Sequence, residues 1–153
     1  MSDTAGDATA EWRHSRRMTD WLGERMKNGD RIAVTVAGTR FAGLVEEMSA
    51  DLIALRAVFG SVDIHVASGV PLHIQLDEPV PGGGKQSSGS RSFREVLLAL
   101  DGRDDLTLGV LHDSQGLDGA IFVGADFVSV VTRMGGETVV PLEQVAWIAP
   151  RRA

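Results

Sequence analysis

The chain has 153 residues, 43% of them hydrophobic and 24% charged, with no cysteine and a formal net charge of −6. These proportions belong to folded globular proteins and exclude a chain disordered throughout. The lack of cysteine excludes a disulfide framework and a thiolate metal site, and the acidic balance opposes a general affinity for phosphate backbones or anionic lipid.

Residues 1–10 are polar and acidic and read as a flexible tail without the basic flank and apolar core of a secretory signal. No apolar run approaches the roughly 20 residues that span a bilayer, so the expectation is a soluble, cytoplasmic protein with no membrane partner. From Glu11 to Asn28, Met18, Trp21, Leu22 and Met26 recur at helical spacing as one apolar stripe, and Gly29 supplies the stop. The other face carries Arg13, Arg16 and Arg17, interleaved with Glu11, Asp20 and Glu24. These arginines are the candidate contacts for nucleic acid or a partner; the plainer reading is a solvated face with i,i+4 ion pairs.

At Arg31 the period changes to two, with Ile32, Val34 and Val36 on one side of a strand. Gly38-Thr39-Arg40 reads as a turn, and Phe41–Val45, Asp51–Ala57, Val62–Val66 and Leu72–Leu76 read as four more strands. Five short strands in succession predict a small closed barrel, which hides its edges, so residues 11–77 form a helix plus a first barrel. Residues 78–90 are rich in Pro, Gly and Ser and read as a linker. Gly84-Lys85 within it is followed by Gln86 and lacks the glycine spacing of a phosphate loop.

Ser92-x-x-Glu95 is a capping box that opens a second helix through Val96, Leu97 and Leu100 to Gly102. Strands follow at Leu106–Val110, Leu117–Val123, Asp126–Val131, Thr138–Val140 and Val145–Ile148, with 112–116 as a turn. Residues 91–149 are thus a helix plus a second barrel, and 150–153 a tail. Asp51 precedes Gly60 at the spacing by which Asp126 precedes Gly135, and Ile74 and Ile148 follow their aspartates at spacings that differ by a single residue. That is the mark of an internal repeat. Trp147, in the last alternating strand, is expected in a core.

No catalytic constellation emerges. His112-Asp113-Ser114 holds the residue types of a triad, but adjacent side chains diverge where a triad must converge, and a turn is the better reading. His65 and His73, with Asp63 as a third ligand, make a weak metal set. The pairs Glu46-Glu47 and Asp104-Asp105 read as surface carboxylates. The expectation is a protein that is not an enzyme and has no cofactor.

The series Gly29-Asp30-x-Ile32-x-Val34-x-Val36-x-Gly38-x-x-Phe41-x-Gly43-Leu44-Val45, then Asp51-Leu52-Ile53-Ala54-Leu55 and Val70-x-x-x-Ile74, resembles the Sm-like superfamily of small SH3-type barrels. The second half is similar through Gly119–Asp126 and Val139-Val140-Pro141-Leu142-x-x-Val145-x-Trp147-Ile148. The resemblance implies a mainly β chain with short helices (α+β) holding two Sm-like, SH3-type five-stranded barrels, an arrangement similar to a group of uncharacterised actinobacterial proteins. It does not carry over the Sm RNA site: no Asn follows Asp51, Ser68-Gly69 stands where Arg-Gly is expected, and Phe127 and Val140-Pro141 break the pattern in the second half. Asp51 and Asp126 read as turn residues. The expected function is a non-enzymatic interaction or assembly module with a protein partner or self-association. The alternative is a nucleic-acid-associated regulator (RNA or DNA) that uses Arg13, Arg16 and Arg17 with the terminal Arg151-Arg152.

Overall fold

The computed structural model describes residues 11, 14–67, 69–78 and 91–151. Helix α1 spans Met18–Asn28 and buries Leu22 and Met26, an i,i+4 pair, while Trp21 packs half-buried beside them. The expected helix from Glu11 is not continuous. Arg17 is extended (φ −98, ψ 162), and its N–H donates to the Asp20 carboxylate at 2.8 Å. That local bond competes with the helix ladder and starts α1 at Met18. Gly29 closes it in the left-handed conformation at φ 75.

Five strands follow: β1 (Arg31–Val36), β2 (Thr39–Met48), β3 (Leu52–Ala57), β4 (Gly60–His65) and β5 (Leu72–Glu78). Helix α2 (Phe93–Ala99) opens on Ser92, whose hydroxyl accepts from Glu95 N–H while the Glu95 carboxylate accepts from Ser92 N–H. Then come β6 (Leu106–Val110), β7 (Asp113–Val123), β8 (Phe127–Val131), β9 (Glu137–Pro141) and β10 (Val145–Pro150). The first turn is Ala37-Gly38, both at positive φ, one residue earlier than expected; this left-handed pair matches the twist of a two-residue hairpin. Strand β7 begins inside the expected 112–116 turn and runs much longer than the sequence pattern suggested.

All ten strands join one antiparallel sheet in the order β5-β1-β2-β3-β4-β10-β6-β7-β8-β9. The chain is mainly β with two described helices. The expectation of two separate closed barrels is not met: among the described residues no ladder joins β5 to β4 or β10 to β9, and β4 pairs with β10 instead. The reason lies in β10, which is buried on both faces. Ala146, Trp147 and Ala149 enter a first core with Ile32, Val34, Phe41 and Ile64, while Val145 and Ile148 enter a second with Phe93, Leu97, Leu108 and Ile121. A strand shared in this way cannot be an edge. Long strands β2 and β7 change partners where Gly43 and Gly119 lie; a Cβ there would stand 2.3 and 2.4 Å from the carbonyl oxygens of Arg56 and Val131. Of residues 78–90, expected as the linker, Glu78 is the last residue of β5, and 79–90 lie outside the described residues.

Candidate interaction surfaces

The junction inside the chain is the β4–β10 ladder. Trp147 lies opposite Ile64, and Ile148 opposite Asp63, in the β4–β10 ladder. Above it, α2 packs against β4. Phe93 stacks on the His65 ring at 4.4 Å, and its N–H donates to the Asp51 carboxylate at 3.0 Å. His65 Nδ1 donates to the Val145 carbonyl at 2.8 Å. Arg91 donates to the Glu47 carboxylate from its backbone N–H and its guanidinium, both at 2.9 Å. That contact holds the Glu47 carboxyl below its usual range against the opposing effect of burial. Burial pushes Asp63 up to about 6; the Arg91 charge opposes the rise, and Glu47 and Glu46 add to it. Leu52 is wholly buried here, within the second core.

Among the described residues, the strands at the two ends of the sheet, β5 and β9, each pair on one side only. At one end the registers Phe122↔Ser129↔Val139 and Phe127↔Pro141 place these side chains on a single face of β7, β8 and β9, opposite the core residues Ile121, Val128 and Val140. Phe122 is 46%, Phe127 37% and Val139 59% exposed, around a buried Ser129 whose hydroxyl donates to Glu137 at 2.6 Å. At the other end, β5 and the start of α1 enclose a cleft of about 460 Å³ lined by Arg16, Arg17, Met18, Trp21, Leu72 and Ile74. Met18 and Leu76 there are 40% and 42% exposed.

Arg16 and Arg17 therefore stand at the rim of that cleft, not on a helical face, and Arg13 lies outside the described residues. Arg16 is paired with Glu24, and Arg17 is exposed. Asp51 is more than a turn residue, since it clamps α2; Asp126, its counterpart after β7, is exposed. His65 and His73 do not meet across a hairpin: β1, β2 and β3 separate their strands in the sheet, and His73 is exposed. Among the described residues no group of three His, Cys, Asp or Glu could hold a metal ion. His112 and Asp113 are exposed, and the Asp113 carboxylate accepts from Gln115 N–H as turn residues do. Ser68, Arg152 and the Ser114 side chain lie outside what is described.

The apolar face of β7–β9 escaped the sequence reading, although a signal exists. Ala120–Val123, Val130-Val131 and Val139-Val140 are continuous apolar runs where a half-solvated strand alternates, which marks a sheet apolar on both faces. The chain matches no protein-family model, no curated protein and no solved structure.

Proposed function

We propose that this chain is a non-enzymatic interaction module, two Sm-like five-stranded units in tandem, whose open sheet ends receive a polypeptide partner. The observation that carries this reading is the exposed face of Phe122, Phe127 and Val139 beside β9, which pairs on one side only among the described residues. An apolar face next to an unpaired strand edge is what strand addition uses, with main-chain bonds for affinity and side chains for selectivity. Covering the exposed parts of these three side chains stabilises a complex by roughly 3–4 kcal/mol, about half of full burial for each. That gain is no larger than the rigid-body cost of association, so the edge hydrogen bonds must supply the rest.

A nucleic-acid role draws less support from the same structure. Arg25, Arg31, Arg40, Arg56, Arg91 and Arg103 each lie against a carboxylate. A phosphate would have to displace these partners before gaining a contact, and the net charge of −6 repels it at longer range. The test places a photo-reactive phenylalanine analogue at position 122 and, as control, at exposed Val58, in the cells the protein comes from. Adducts with a polypeptide at 122 but not at 58 are expected. Adducts with nucleic acid alone, or none, overturn the reading.

A further inference from the structure

We infer that a cavity between the two halves takes a free α-amino acid with an aromatic side chain, bound as its zwitterion. This goes beyond the interaction reading above, because the cavity shares no lining residue with the exposed face of Phe122, Phe127 and Val139. The cavity has a volume of about 280 Å³, close to the smallest size usual for a small-molecule site. One row of the sheet builds its floor. Ala149 on β10 lies opposite Thr107 on β6, and Thr107 lies opposite Asp118 on β7. Trp147 and Arg151, two residues to either side of Ala149, line the cavity with it. The first half closes the cavity with Arg40 and Phe41 of β2 and with Phe59 from the turn between β3 and β4.

Three charged side chains line this cavity, and among the described residues none of them pairs with another. Asp118 accepts a hydrogen bond from the buried Thr107 hydroxyl at 2.5 Å, and its second carboxylate oxygen has no hydrogen-bond partner among the described residues. Arg40 meets Asp77, outside the cavity, through one nitrogen at 3.1 Å, which leaves its other N–H groups for a ligand. Arg151 is fixed by its backbone N–H, which donates to the Asp105 carbonyl at 2.8 Å. The Asp105 carboxylate is taken by Arg103 at 2.6 and 3.0 Å, so Arg151 acts on it only at longer range. Strand β6 separates Asp118 from β10, two strand spacings or about 10 Å, which holds the carboxylate and the Arg151 guanidinium apart.

These groups select against a ligand of a single charge. Asp118 repels a plain acid that Arg40 and Arg151 attract, and the two arginines repel a plain amine that Asp118 attracts. An ammonium for Asp118 and a carboxylate for the arginines satisfy all three. The arginine side chains are long enough to close most of the gap to Asp118, so the two charges of the ligand sit near each other, as they do on one α-carbon. The rest of the wall is aromatic. Phe59 is 37% exposed, its ring lies 6.5 Å from that of Phe41, and Phe41 meets Trp147 edge-on at 4.9 Å. A further ring extends this series through tilted and edge-on contacts that an aliphatic chain does not make.

The test titrates L-phenylalanine into the purified full chain in a calorimeter, beside three compounds that each lack one recognised group: phenethylamine (no carboxylate), 3-phenylpropanoate (no ammonium) and L-alanine (no ring). L-phenylalanine should bind with a dissociation constant between about 10 μM and 1 mM, and each of the other three about 10-fold more weakly or worse. Asp118→Asn keeps an acceptor for Thr107 and removes the charge. It should weaken L-phenylalanine about 10-fold and leave 3-phenylpropanoate no weaker. Arg151→Gln should weaken L-phenylalanine and leave phenethylamine no weaker, and a thermal melt confirms that both variants fold. As a second measurement independent of the variants, L-phenylalanine should shift the NMR signals of the Trp147 indole N–H and of the Thr107 and Asp118 amides, and leave those of Phe122 and Val139 in place. No binding of L-phenylalanine up to about 10 mM, equal binding of all four compounds, variants that bind as wild type does, or shifts confined to residues outside the cavity overturns the inference. These outcomes are independent of cross-linking at position 122, which tests the interaction reading alone.

Discussion

Trp147 anchors β10 in the first core. It is 6% exposed, meets Phe41 edge-on at 4.9 Å, and lies where Gly109 leaves room: a Cβ at 109 would stand 2.1 Å from the indole. Trp147→Ala should cost about 3–5 kcal/mol, as deletion of a large core aromatic does, read as a shift in the denaturant midpoint. A loss below about 1 kcal/mol would show that the ring contributes contact and little burial energy. Asp63 works in the opposite direction. With an ordinary value of 3.8 and a folded value of about 6, the folded chain keeps a proton that the unfolded chain has released. Stability therefore falls as pH rises through that window, by on the order of 3 kcal/mol for this group. Asp63→Asn should raise the melting temperature most above pH 6, with the gain shrinking toward pH 4. A gain independent of pH would show that the carboxylate ionises freely in the fold.

Among the elements, α2 spans only seven residues. Its seven residues bury Phe93, Val96 and Leu97; Phe93 meets Asp51 and His65, and Arg91, just ahead of the helix, meets Glu47 in β2. An isolated helix of this length is not stable in water, so its order derives from that docking. Phe93→Ala should cost about 3–5 kcal/mol. It should also speed amide exchange at Ile64, Trp147 and Ile148 together, because the helix and the β4–β10 ladder form one junction. Faster exchange confined to 93–99 would show the ladder to be stable without the helix. The shared strand β10 explains why exchange is the right readout: with both faces in cores, its amides report on both halves at once.

For the whole molecule, the junction determines how the halves behave when the chain is cut. The sequence places a Pro/Gly/Ser linker at 78–90, and protease should cleave there before it cleaves either half. The two fragments should nevertheless stay together in gel filtration, since separating them exposes Leu52, Trp147 and Phe93 to water. At roughly 1.5–3 kcal/mol per large apolar side chain, that exposure costs several kcal/mol before the ladder bonds are counted. Fragments that part and each stay folded would show two independent units instead.

Much of the local order is legible in the sequence because it depends on neighbours along the chain. The period-two runs from Arg31 and Leu106, the Gly29 stop and the Ser92–Glu95 box each specify their element through contacts within a few residues, and those elements stand where the pattern placed them. The aspartate-to-isoleucine spacing likewise places Ile74 and Ile148 at matching positions, opposite Val34 and Leu108. What depended on tertiary structure was which faces are covered. Alternation places Asp63, His65 and Val139 on the outer side of their strands, but it does not say that α2 and β10 cover the first two while Val139 remains open. It also does not join β4 to β10, because edge hydrogen bonds are identical for every strand and only the packing of Trp147 and Phe93 selects the pairing. The clamp of Asp51 on Phe93 is hidden for the same reason, since a carboxylate that caps its own turn and one that holds a helix 42 residues away read alike in sequence.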